Sequence, residues 1–424
     1  MEPQRDRPKR AERFADERAG RQSTVFLQRG GIEMSEICIE SLTVTRINVP
    51  LTKPILMAFG AVSTAHILLV RMRDRDGVKG VGEATVLGGP HWNEESAESA
   101  LAIIETYLAP AIKGVKFSGI EALSDRLFSL VRRNSLARSA IEKAALDLIG
   151  RRLGVPISDL LGGRCRQEIP VAWTLSNGSA EREINDGEEA IEKRAHACFK
   201  LKFGHADPSD DIARARKILN HFSGRARVIA DVNQGWDEVT AARAFPALQE
   251  AGLLAIEQPL PAGNLEGIAR LRHGLGFDVI ADEAAIGPEA TFKLAAARAA
   301  SAVSLKPSRD GGLLATKRTA AIADAAGMKL YGGGMIETSV GTAASAHVYA
   351  TVPKLTFGCE LFGPLKLVED IVQDSVKIKG GALKVPESPG LGVELDEEKI
   401  ARLVTGEPKT RVYLAPFDQS ENRV

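Results

Sequence analysis

The chain has no net charge: 55 basic side chains balance 55 acidic ones over 424 residues. No global field therefore draws it to nucleic acid or to an anionic membrane, and an anionic substrate must be caught locally. It also has no apolar run near the roughly 18 residues that a membrane span needs. Cysteine is sparse. Cys38, Cys165, Cys198 and Cys359 are scattered, with no CxxC spacing. Cys198 and Cys359 lie in apolar strand-like runs, where buried reduced thiols are expected, which fits a cytoplasmic protein. No GxGxxG follows the first strand of the alternating segment, so nothing supports a dinucleotide site. The seven histidines are dispersed. His196, His205, His221 and His273 fall in helical or loop stretches and are expected to be solvated or capping residues.

What is present is an ordinary globular composition, 44% apolar and 26% charged, on a chain long enough for one large and one smaller domain. Residues 1–34 stand apart. They are highly charged and lack both apolar periodicity and an h-region, so they are expected to be a disordered tail or the product of a start placed upstream of Met34. Residues 35–164 open with ICIESLTVTRINV, AHILLVRMRD and VKGVGEAT, strand-like runs of which the last two flank the hairpin signal Asp76-Gly77. Helical spacing follows in ESAESALAIIETYLAPAI, IEALSDRLFSLVRR and SLARSAIEKAALDLIGRRLG, the last stopped by Gly154 and Pro156. This reads as a small α+β unit.

From residue 165 to 375 strands and helices alternate. IPVAWTL, CFKLKFG, ARVIADVN, LLAIEQP, DVIADEA, AVSLKPS, MKLYGG and LTFGCEL are the strand candidates. Eight such strands predict an α/β fold of the (β/α)-barrel type, with an open doubly wound sheet as the alternative. Residues 376–424 then form a C-terminal segment returning toward the first domain.

In a barrel the C-terminal strand ends share one mouth. Those ends carry Trp173 and Thr174, Lys200 and Lys202, Asp231 and Asn233, Glu257, Asp282 and Glu283, Lys306, Glu337 and Glu360. Asp231, Glu257 and Asp282 are 26 and 25 residues apart, about one strand plus one returning helix. Each acid alone could be a helix cap or an ion-pair partner, and alternating lysines could mark an edge strand. Three acids on adjacent strands of a barrel, which has no edges, instead suit a hard divalent cation such as Mg2+ or Mn2+, with lysines on either side.

FKLKFG, DVNQGW, IEQPL, ADEA and LKPSRDGG together resemble the enolase superfamily, and GEATVLGG, LYGGGMIETSVGTAASAH and GCELFGPLKLVEDIV resemble its muconate-lactonizing subgroup. The resemblance covers residues 36 to 405 and implies a (β/α)7β barrel under an α+β capping domain. It implies Mn2+ or Mg2+ bound by Asp231, Glu257 and Asp282, holding the carboxylate of a small substrate. It makes Lys202, Lys306, Lys200 and Glu337 the catalytic set, with Lys202 moving a proton at the carbon beside that carboxylate and Lys306 facing it. Asn233 and Glu283 would orient ligands and lysines. The activity implied is muconate cycloisomerization in aromatic-compound catabolism by a homo-oligomer, octamers included. A dipeptide or N-acylamino-acid epimerase of the same superfamily is the alternative, and a non-catalytic carboxylate-binding barrel a further one. The histidine that the mandelate racemase subgroup carries on the seventh strand is absent from LYGGG. Arg309 stands where a lysine is common. Lys53, His66 and Trp92 are candidate pocket-lining residues.

Overall fold

The computed structural model describes residues 36–87, 89–92 and 94–404. The expected tail 1–34 and the end of the C-terminal segment lie outside them.

The first domain is built on three long antiparallel strands, β1 (Ile37–Met57), β2 (Gly60–Asp74) and β3 (Lys79–Leu87), with β4 (Lys116–Phe117) pairing to β1, in the order β3-β2-β1-β4. The β2–β3 hairpin closes where the sequence signal places it. The Asp74 carboxylate accepts from the amides of Asp76 and Val78, and Gly77 takes the positive φ of 82° that a side chain would resist. Helix Ser135–Leu153 packs on this sheet and is buried along most of its length, ending at Gly154 in the left-handed conformation. The expected single helix over ESAESALAIIETYLAPAI is interrupted. It runs as Ala97–Ile103, a π-turn at Ile104–Leu108 and Ala109–Ile112, with Pro110 unable to donate to the preceding turn.

Seven parallel strands follow: β6 (Trp173–Leu175), β7 (Cys198–Lys202), β8 (Arg227–Asp231), β9 (Ala255–Glu257), β10 (Asp278–Ala281), β11 (Ala302–Leu305) and β12 (Lys329–Gly332), paired in sequence order. The eighth element closes the ring at one residue. Cys359 bridges to Val171 on one side and Gly332 on the other, both parallel, so the expected LTFGCEL strand is reduced to a seam. IPVAWTL is not one strand. Its first part, β5 (Glu168–Pro170), leaves the barrel and pairs with β14 (Ala382–Lys384), itself paired with β13 (Ile378–Lys379). Beyond them the chain reaches the first domain, where Glu397 meets Arg71 at 2.8 Å and Val404 bridges Ile47.

The barrel interior shows why the mouth is polar. Ile229, Ala255, Ile280, Ala302, Tyr331 and Phe357 form an apolar plug. Strand side chains alternate faces, so two residues on from four of these the inward positions become Asp231, Glu257, Asp282 and Ser304.

Candidate active site

Lys200 and Lys202 share the inner face of β7, and both ammonium groups are buried among carboxylates. Lys200 Nζ lies 2.7 Å from Glu257 Oε2, 3.0 Å from Glu360 Oε2 and 3.1 Å from Asp231 Oδ2. Burial opposes its charge, yet Asp231, Glu257 and Glu360 outweigh burial and hold its pKa well above the usual lysine value. It is a fixed cation. Lys202 Nζ donates to Asp231 Oδ2 at 2.7 Å and to Asn233 Oδ1 at 3.0 Å. Asn233 Nδ2 in turn donates to Glu283 Oε1 at 3.2 Å, so one side-chain chain links the ends of β7, β8 and β10.

Across the mouth, Lys306 Nζ donates to Asp282 Oδ2 at 2.6 Å and sits 4.6 Å from the centre of the Trp92 ring, which comes from the first domain. Arg309, which has no exposure, bonds the other oxygen of Asp282, so that carboxylate is held from both sides. Burial acts against ionisation of Asp282, but Lys306 and Arg309 reverse it and lower its pKa.

The charge does not close on itself. Lys200, Lys202, Lys306 and Arg309 are buried with Asp231, Glu257, Asp282, Glu283, Glu360 and Asp310. Carboxylates outnumber cations, and the excess falls where partners run out. Glu257 Oε1 and Glu283 Oε2 have no hydrogen-bond partner. Burial, with Asp231 and Asp282 adding to it, pushes Glu257 up to about 8, and Glu283 rises to about 8 for the same reasons. Among the described residues no three His, Cys, Asp or Glu side chains converge as a preformed cage, because these carboxylates are turned to lysine or arginine. The donor chemistry nevertheless fits a hard divalent cation: oxygen atoms only, with Oε1 of Glu257 left unpartnered.

The cleft above these groups is lined by Lys202, Lys306, Asn233, Thr174, Glu360 and an apolar roof of Ile55, Met57, Leu87, Trp92, Ile336 and Phe362, with a cavity of about 20 Å³. That is room for about one water. Of the three candidate pocket-lining residues only Trp92 reaches it. Lys53 is exposed, and His66 is buried inside the first domain with Nδ1 2.7 Å from Asn48 Oδ1.

Glu337 has Lys143, and not a cleft lysine, as its charged partner among the described residues. It accepts from the Met335 amide at 2.9 Å, and burial pushes it up to about 7 against the pull of Lys143. Lys143, also fully buried, bonds Glu83 O at 2.9 Å and Ser308 Oγ at 2.7 Å, joining the first domain to the barrel rim. Glu360 is the glutamate that meets Lys200. The histidine expectation needs correction. His196 is buried and stacks on Trp173 at 5.3 Å, while His347 is fully enclosed, with Nδ1 accepting from Ser158 N and Nε2 3.1 Å from Leu391 O. Both lie in segments whose contacts come from distant chain, which local sequence does not show.

A closed barrel under an α+β roof, with carboxylates ending its third to fifth strands and lysines its second and sixth, defines an enolase-type protein. The chain belongs to the mandelate racemase / muconate lactonizing enzyme family: residues 39–162 match its N-terminal domain and residues 184–399 match the enolase C-terminal domain-like family. It is 44% identical over 346 residues to muconate cycloisomerase 1 of Pseudomonas putida, covering 82% of this chain and 92% of that protein. It is 41% identical over 362 residues to a chloromuconate cycloisomerase of Pseudomonas putida, covering 85% and 98%. The crystal structure of muconate lactonizing enzyme from Pseudomonas fluorescens complexed with muconolactone superposes with a TM-score of 0.85 at 41% identity, covering 87% of this chain and all of that one.

Proposed function

We propose that this protein is an isomerase, a cycloisomerase that closes a muconate-type dicarboxylate into its lactone. The observation that carries the reading is the pair of ammonium groups, Lys202 and Lys306, held on separate carboxylates and lining one cleft. The names of the similar proteins favour cycloisomerization over epimerization.

Asp231, Glu257 and Asp282 would hold Mg2+ or Mn2+. When bound, such an ion neutralises the substrate carboxylate and the negative charge that builds up beside it. The rest is work for the side chains. One substrate carboxylate oxygen adds to the conjugated diene, a C–O bond forms, a C=C bond is lost, and the carbon next to the second carboxylate takes one proton. Lys202 is placed to deliver it, because Asp231 and Asn233 fix its ammonium at the cleft wall. Lys306, seated on Asp282 and the Trp92 ring, supplies positive charge on the opposite wall. Lys200 lies deeper and keeps Asp231 and Glu257 in place. The apolar roof excludes water that would otherwise screen these charges.

A homo-oligomer belongs to the same proposal. It is read by light scattering on the purified protein. A cytoplasmic location is supported by four free cysteines, and no helix among the described residues is long and apolar enough to cross a membrane.

The test is loss of the ultraviolet absorbance of cis,cis-muconate with Mn2+ and an EDTA control. Metal-dependent decay is expected. No decay with metal bound would move the substrate search to dipeptides and N-acylamino acids.

A further inference from the structure

Arg309 is the bulkiest fully buried side chain among the described residues, and its charge is spent within a few ångströms. The β10–β11 ladder ends at Ala281 opposite Val303. One residue further on, the guanidinium takes over as the tie between these strand ends. Nη1 donates to Asp282 O at 2.6 Å and to Asp282 Oδ1, and Nη2 donates to Ser304 O at 2.5 Å. Its counter-charge is its chain neighbour. Asp310 Oδ1 accepts from Nε at 3.1 Å and Nη2 at 2.9 Å, while Asp310 Oδ2 accepts from the Lys306 amide at 3.2 Å and Thr316 Oγ1 at 3.1 Å. The two residues form a neutral unit, so Asp282 keeps its own charge. One end of the unit grips Asp282 and the other grips the backbone of Lys306.

This leaves the two oxygens of Asp282 unlike each other. Oδ1 is consumed by Arg309, whereas Oδ2 faces Lys306 Nζ at 2.6 Å on the cleft side. We propose that Arg309 is a positioning residue that locks Oδ1 of Asp282, so that Asp282 offers a divalent cation Oδ2 alone. The inference rests on the assignment of Asp231, Glu257 and Asp282 as the metal ligands. A lysine at 309 could not do the same work. It carries one nitrogen rather than a planar fork, and cannot bond Asp282 O, Asp282 Oδ1 and Ser304 O in one fixed plane.

The experiment is a Mn2+ titration followed by the electron paramagnetic resonance signal of the free ion, which needs no turnover. Native protein, Asp282→Asn, Arg309→Lys and the double variant Arg309→Met/Asp310→Asn are compared. The double variant removes both charges of the pair and guards against a fold failure caused by leaving Asp310 alone. Native protein is expected to bind and Asp282→Asn to lose binding. Arg309→Lys and the double variant should bind about 10- to 100-fold more weakly, the usual cost of removing a partner of a ligand. Native-like affinity in either Arg309 variant overturns the inference and leaves the metal site standing. Equal affinity in native protein and Asp282→Asn, or none in native protein, overturns the ligand assignment itself.

Discussion

At the scale of the residue, Lys202 carries the sharpest expectation. Its ammonium has two partners, Asp231 and Asn233, and each has another hold: Asp231 also pairs with Lys200, and Asn233 also bonds Glu283. Lys202→Ala should therefore keep the fold and Mn2+ binding while kcat falls by about 10²- to 10⁴-fold, the range for loss of a positioned acid. Stopped turnover with retained Mn2+ affinity supports the role, and near-native kcat removes it. Lys202 and the three acids are legible in sequence because each breaks the apolar alternation of its strand at the end where a barrel opens. Arg309 is legible only as an oddity. What it does depends on Asp282, which is 27 positions away in sequence and reached only across neighbouring strand ends. Glu337 and Glu360 are both glutamates beyond a glycine-rich run, and sequence alone does not say which of them the barrel turns toward Lys200.

At the scale of the element, two contacts carry expectations about stability. β3 lies directly on the backbone of helix Ser135–Leu153. A Cβ at Gly82 would stand 2.2 Å from Ala140 O and 2.5 Å from Ala144 N, and Gly80 is as tight against Ala144 and Leu148. No side-chain rotation relieves a clash with backbone. Gly82→Val should destabilise by at least ~3 kcal/mol, the upper part of the range for overpacking, and chemical denaturation reads it. A midpoint equal to native would mean the helix can slide. The second contact is His347 on the buried helix Ser339–Ala350, where burial lowers its pKa from 6.5 to about 4. The unfolded chain takes up a proton at higher pH than the fold does. The contribution of neutral His347 is thus complete above about pH 6.5 and is lost as the pH falls toward 4. Between pH 7 and 4.5 native protein should lose about 2–3 kcal/mol more stability than His347→Gln, whose amide can fill both hydrogen-bonding roles without titrating. Parallel pH curves for the two proteins would count against it. Strand and helix order was readable from periodicity, but such docking was not. The glycines of VKGVGEAT look like hairpin punctuation until the helix above them is seen.

At the scale of the whole molecule, the roof is the issue. A cavity of about 20 Å³ takes a water and not a six-carbon diacid, so part of the roof has to lift for the substrate to enter. The β1–β2 turn, Ala58 and Phe59 between Met57 and Gly60, is the part whose hold on the barrel is light. Met57 roofs the cleft, and the backbone link beside it, Leu56 N to Ser176 O, is long at 3.4 Å. The tip also stands over the loops after β7 and β8. A Cβ built at Gly235 lies 3.1 Å from the Ala58 Cβ and 3.0 Å from Val232 O, so the loop after β8 has to give by a few tenths of an ångström to reach the spacing a disulfide adopts. Ala58→Cys/Gly235→Cys should therefore crosslink on oxidation, with mass spectrometry reporting the bond. Oxidised protein should lose turnover and regain it with a reductant, while each single cysteine variant keeps its activity under both conditions. If the crosslinked enzyme turns over as fast as the reduced one, substrate enters without this turn moving. The opening would then belong to the opposite edge of the roof, where Trp92 lies over Lys306.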